Sequence, residues 1–191
     1  GVEVKNPLNV YFADLHSHTA YSDGTLTPAA AHDYARDVAK LDVFSLTDHL
    51  EYLDETEWLD TREQAWDANE DGKFAVIPGL EWTKKWGHIN IYDPNSRHWP
   101  EDPAEFYQAA VDAGVVLKFN HPGDGSESHS GLAYSEVGDK AVQLMEVRQP
   151  KEEIAMIRAL DNGWHIAPEG SDDTHNPNWG NVRSWTGMLM P

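Results

Sequence analysis

The stretch V-Y-F-A-D-L-H-S-H-T, residues 10–19, decides how this chain is read. Its first half is apolar and aromatic, as a buried β-strand requires, and its second half is a histidine pair. Side chains two apart along a strand point the same way, so His16 and His18 can grip one cation together. Asp14 shares that face and is expected to orient a ring by accepting its N–H. Alone, H-x-H is a weak signal, equally met by two surface histidines. Its weight comes from what recurs downstream.

Further short apolar runs at 42–47, 73–80, 88–92, 114–119, 142–147, 164–168 and 184–190 read as strands. Helical stretches fall between them. One covers 28–40, with Thr27 as N-cap and Pro28 at the first position. Others cover 56–70, 103–113 after Pro103, and 151–161 before Asn162-Gly163. This alternation predicts an α/β fold with a largely parallel sheet. Polar residues with ligand chemistry cluster where the apolar runs end: Asp48 and His49, Glu81, His121, then Asp173 and His175. In a β/α barrel such strand ends share one face, so residues about 160 positions apart would converge there.

Each segment adds a candidate. Y-S-D-G-T at 21–25 is a turn that leaves Asp23 free to face the site, or simply to stabilise its own turn. S-L-T-D-H at 45–49 offers His49 as a ligand and Asp48 as support. P-G-L-E-W at 78–82 offers Glu81, whose two oxygens can bridge two ions as a neutral imidazole cannot. G-H-I-N at 87–90 offers His88, with Gly87 permitting close approach, and F-N-H-P-G at 119–123 offers His121. G-S-D-D-T-H at 170–175 offers Asp173 and His175, with Asp172 as a competing carboxylate. His32, His98, His129 and His165 fall outside the pattern and receive no role.

The ordered set H-x-H-T-x-x-S-D-G, T-D-H, P-G-x-E, G-H-x-N, N-H-P and D-x-H resembles the polymerase and histidinol phosphatase (PHP) superfamily. The G-H-I-N and N-H-P-G forms are similar to its branch of carbamate and phosphoester hydrolases. The resemblance runs from Asp14 to His175. It implies a distorted seven-stranded (β/α) barrel with a metal site at the C-terminal ends of its strands. It also implies two or three divalent ions, often zinc, manganese or iron. By motif, His16, His18, Glu81 and Asp173 would hold the first ion, and Glu81, His88 and His121 the second. Asp23, His49 and His175 would hold the third. Many relatives carry a histidine where this chain has Asp23.

Clustered ions of this kind activate water and neutralise a developing oxyanion, so no Ser or Cys nucleophile is needed. Glu81 and Asp173 are expected to carry that chemistry. A phosphate substrate would also call for a cation. Of Lys84, Lys85, Lys118, Arg148 and Arg183, Arg148 ranks first because it follows an apolar strand on the expected face. Trp82 and Trp86 flank the Glu81–His88 loop and could pack on a substrate or in the core. The leading expectation is a phosphoesterase for small phosphate mono- or diesters. The alternatives are a carboxyl or carbamate ester hydrolase using the same cluster, and a non-catalytic metal-binding module of a larger protein.

Composition bounds these readings. The 191 residues suit one domain, with 33 acidic residues against 14 basic ones and a formal net charge of -19. That excess repels phosphate backbones and argues against general nucleic-acid binding, while favouring a small anionic substrate drawn in by local metal charge. No apolar run is long enough to span a membrane. The absence of cysteine excludes disulfides and thiolate ligands and leaves a bacterial protein, cytoplasmic or exported, equally open. The start at Gly1 fits a trimmed form or an excised domain.

Overall fold

The computed structural model describes residues 8–123, 128–181 and 184–191. Its strands are β1 (Asn9–Asp14), β2 (Val43–Phe44), β3 (Ala75–Val76), β4 (Gly79–Lys84), β5 (Gly87–Tyr92), β6 (Val116–Phe119), β7 (Val142–Glu146), β8 (Ala167–Glu169) and β9 (Thr186–Met190). The α-helices are α1 (Pro28–Asp33), α2 (Glu55–Ala68), α3 (Pro103–Ala113) and α4 (Pro150–Asn162).

Local chemistry sets the helix limits. Thr27 caps α1 by accepting from the Ala30 amide. The predicted 28–40 helix then loosens into a π-helical turn, Tyr34–Ala39, and stops at Lys40 with φ 60°. Asp54 and Glu57 form a reciprocal capping box on α2. Gly114 and Gly163 end α3 and α4 in the left-handed conformation. Helix α3 buries Phe106, Tyr107 and Ala110, while α4 buries Ala155, Met156 and Ala159. These faces cover the sheet residues Leu80, Trp82, Ile89, Leu117, Phe119 and Met145. A second core gathers Ala31, Phe44, Leu46, Ala65 and Trp179.

The strands form two sheets, and no closed barrel is found among the described residues. One sheet has the order β3-β2-β1-β9, parallel except for the β1–β9 pair. The other has the order β4-β5-β6-β7-β8, antiparallel over β4-β5-β6 and parallel beyond. Single parallel bridges link the sheets, Ser17 with Thr174 and His49 with Glu81. The seams stay this narrow for a physical reason. The chain leaves β1, β2 and β8 as ligand-bearing turns, and Asp173 sits at φ 55°, which cannot continue a strand ladder. The described residues thus form two sheets bridged at the site, and the expected seven-stranded barrel is not confirmed.

The predicted 73–80 strand is likewise replaced by two, β3 and β4, split before Gly79. Glu81 consequently lies within β4 and not after a strand, and His88 is the second residue of the antiparallel β5.

Candidate metal centre

The seams bring all nine sequence-predicted ligands together in three groups: His16, His18, Glu81 and Asp173; Glu81, His88 and His121; and His18, Asp23, His49 and His175. Within each group the donor atoms lie within 4.8 Å of one another. His16, His18 and Glu81 form a buried floor, while Asp23, His88 and His175 have side chains 48%, 31% and 33% exposed and form the open rim.

Glu81 is the centre. Its Oε1 lies 3.3 Å from His16 Nε2, 3.2 Å from His88 Nδ1 and 3.5 Å from His121 Nε2. Its Oε2 lies 3.4 Å from His18 Nε2 and 3.0 Å from His49 Nδ1. Burial works against its ionised form, but His16, His121 and His49 outweigh this and hold the carboxyl well below the usual range. Asp173 is held down in the same way by His16 and His18.

The donor set fits a cation on its own geometry. His16 Nδ1 lies 2.6 Å from Glu146 Oε2 and donates its proton there. In the neutral ring Nε2 then carries a lone pair, which faces Asp173 Oδ1 at 3.2 Å, Glu81 Oε1 at 3.3 Å and His18 Nε2 at 3.3 Å. Asp173 Oδ1 is buried against the two ring nitrogens, 3.2 Å from His16 Nε2 and 2.9 Å from His18 Nε2, and makes no well-aligned hydrogen bond among the described residues. Acceptors aimed at acceptors repel unless a positive charge sits among them. A proton can supply it: burial disfavours the imidazolium, yet Asp173, Glu81 and Glu146 push His16 up to about 10. A divalent ion would supply it better.

His18 belongs to two groups, and a neutral imidazole has one lone pair to give. Its Nε2 faces Asp173 Oδ1 at 2.9 Å, whereas Nδ1 is 3.8 Å from Asp23. The geometry commits it to the first group. In the third, His175 Nδ1 donates to the Asp173 carbonyl at 2.8 Å, leaving Nε2 free to face Asp23 at 3.1 Å.

Two of the candidate ligands stand on strained backbone. His121 has φ 31° and Asp173 φ 55°, a region that costs a non-glycine residue about 1–3 kcal/mol and persists where surroundings enforce it. Gly24 explains the S-D-G turn, because a Cβ there would lie 2.7 Å from the His18 carbonyl carbon. At Gly87 (φ 154°) a Cβ would lie 2.6 Å from the His129 ring.

Other expectations change. Asp14 orients no ring; it accepts from the His16 amide, Ser17 Oγ and the Gly180 amide. Glu146 does the ring-orienting instead. Asp48 anchors the 19–22 turn through the Thr19 amide and hydroxyl, both at 2.7 Å. Asp172 is in none of the three groups. Trp82 is core, stacked 4.3 Å from Phe106, and Trp86 packs beside it. Lys84 pairs with Glu51 and Glu101. Lys118, one of the cations considered for a phosphate, is fully buried. Arg148 follows β7 as expected, but its Nε faces Glu146 at 3.0 Å and Glu152 at 3.3 Å. Arg183 lies outside the described residues.

Sequence reasoning missed several supporting residues. Asn120 donates to Glu81 Oε1 and to Asn90 Oδ1, each at 2.7 Å, and Asn90 donates to the Leu15 carbonyl. Both asparagines stand inside the quoted motifs G-H-I-N and F-N-H-P-G, which was the available signal. His129 is buried, and its Nε2 donates to the His88 carbonyl at 2.9 Å.

No family model matches the sequence, and no curated protein matches it significantly. Solved structures do match. A two-domain protein from Bacteroides vulgatus containing a predicted PHP-like metal-dependent phosphoesterase aligns with TM-score 0.68 and 24% identity over 90% of this chain. An amidohydrolase from Chromobacterium violaceum, solved with sulfate and without metal, aligns with TM-score 0.60 and 14% identity, covering 91% of this chain and 90% of that one. Endonuclease Q, solved with duplex DNA bearing an abasic lesion at its active site, aligns with TM-score 0.52 and 14% identity over 89% of this chain. The chain spans 54% of the Bacteroides protein and 50% of Endonuclease Q. The chain therefore shares its fold with a protein that contains a predicted PHP-like metal-dependent phosphoesterase.

Proposed function

We propose that this chain is a metal-dependent hydrolase domain acting on small phosphate mono- or diesters, with two or three divalent ions of zinc, manganese or iron. The observation that carries the reading is Glu81, a buried carboxylate whose two oxygens are shared among imidazoles from all three groups. His16, His18, Glu81 and Asp173 would hold one ion, Glu81, His88 and His121 a second, and Asp23, His49 and His175 a third.

When bound, such ions would supply a water nucleophile near neutral pH and neutralise charge on a substrate oxygen. The chain's own residues do the rest. Asn120 fixes Glu81 through its side-chain amide, and His129 fixes the backbone at His88. The substrate enters over the exposed rim of Asp23, His88 and His175, because the floor is closed to solvent. Without metal, the cluster's carboxylates, Asp23, Glu81 and Asp173, repel anions, so substrate binding and metal loading go together. The net charge of -19 opposes an extended duplex, even though Endonuclease Q, of similar fold, acts on DNA.

A protein of similar fold that contains a predicted PHP-like metal-dependent phosphoesterase supports attack at phosphorus. The amidohydrolase of this fold keeps attack at carbon as the second reading. Aryl phosphate mono- and diesters and aryl acetates, assayed with zinc, manganese or iron, separate the two. The proposal expects metal-dependent turnover of a phosphate ester, lost by at least about 100-fold in Glu81→Gln with the fold intact. Faster turnover of the acetate would favour the carbon ester reading. Turnover of nothing with any metal would leave a non-catalytic metal-binding module.

A further inference from the structure

Beneath the ligand floor lies a layer of buried charge that the ligand set does not use. Lys118, on β6, is fully buried, and its Nζ donates to Glu169 Oε2 at 2.8 Å, Ser171 Oγ at 3.0 Å and Glu146 Oε2 at 3.2 Å. Glu146, the last residue of β7, is equally closed to solvent. Its Oε2 meets Lys118 and takes the His16 Nδ1 proton at 2.6 Å, while its Oε1 faces Arg148 Nε at 3.0 Å. Arg148 reaches on to Glu152 at the start of α4. Buried charges are costly to desolvate, so a layer that served packing alone could be replaced by apolar groups. This one terminates on a ring nitrogen of a ligand.

We propose that Glu146, held between Lys118 and Arg148, is the positioning residue that fixes His16 as a metal ligand. By accepting from Nδ1 it turns the Nε2 lone pair toward Asp173 and Glu81, stops the ring from rotating, and makes the imidazole a stronger electron donor. Arg148 then works behind His16, through Glu146, and not on the substrate. The inference rests on the metal-centre reading above. It adds that metal affinity is set partly by a carboxylate that never touches the metal.

The test is titration of the metal-free protein with Co2+, followed by visible absorption and calorimetry. Glu146→Gln removes the charge, and Glu146→Asp keeps the charge but shortens the reach by one methylene. Each is expected to weaken Co2+ binding about 10- to 100-fold and to change the absorption envelope. Glu152→Gln leaves the Glu146–His16 bond in place while loosening Arg148, and should weaken binding less than either Glu146 variant. If Glu146→Gln fails to fold, the aspartate variant decides. Wild-type affinity and spectrum in a folded Glu146 variant, or an equal loss in Glu152→Gln, overturns the proposal and leaves the metal centre standing. A wild-type protein that takes up no Co2+ overturns both.

Discussion

At the scale of the residue, burial decides what each histidine does, and this is where sequence is least informative. His32 was given no role and sits away from the metal centre, edge-on to Phe44, with neither ring nitrogen hydrogen-bonded. Burial, with Arg36 adding to it and Asp33 opposing, lowers it from 6.5 to about 4. The unfolded chain therefore binds a proton between those values that the folded chain refuses. The stability tied to His32 is complete above pH 6.5 and is lost as pH falls toward 4. Urea unfolding at pH 7 and pH 4.5 should show wild type losing about 2–3 kcal/mol more than His32→Leu. Equal losses would remove His32 as the cause. The ligand histidines were legible for a different reason. His16 and His18 sit two apart after an apolar run, and His175 sits two after Asp173, so spacing alone gave them a common target. Glu146 and Lys118 gave no such sign, since a lone charge near a strand end reads as solvated surface until the fold buries it.

At the scale of the element, the tight turns matter more than the strands they join. Helices α3 and α4 were readable because proline, aspartate and glycine mark their ends and apolar residues recur at helical spacing. The strand boundary at Gly79 was not, because Pro78-Gly79 looks like a terminus, whereas here Gly79 begins β4. The seams between sheets were also hidden, since each depends on one residue pair distant in sequence, Ser17 with Thr174 or His49 with Glu81. The 19–24 turn gives the sharpest prediction at this scale. Its Gly24 amide donates to the Thr19 carbonyl at 2.9 Å, and no space exists for a side chain against His18. Gly24→Ala should cost about 1–3 kcal/mol of stability and move Asp23 away from His49 and His175. The protein should then bind fewer ions while keeping those of the buried floor, as elemental analysis would report. An unchanged ion count would mean that Asp23 is not a ligand.

At the scale of the whole molecule, two sheets share a small core of Ala13, Leu15, Val43 and Tyr92 and are bridged at their strand ends by a cluster of acids and imidazoles. The recurrence of polar residues at the ends of apolar runs announced the convergence, which is why the site was more legible than the sheet order. The two-sheet arrangement was not legible, because the bridges between the sheets pair residues distant in sequence. The same arrangement couples metal to stability: without cations the buried carboxylates and lone pairs oppose one another across the seam. The most direct test of this account is elemental analysis of the purified chain, joined to a crystal structure that locates each ion by anomalous scattering. Two or three divalent ions per chain, with Glu81 touching at least two of them and His16 and Asp173 sharing one, is the result predicted. A metal-saturated crystal with no ion between these side chains would contradict it.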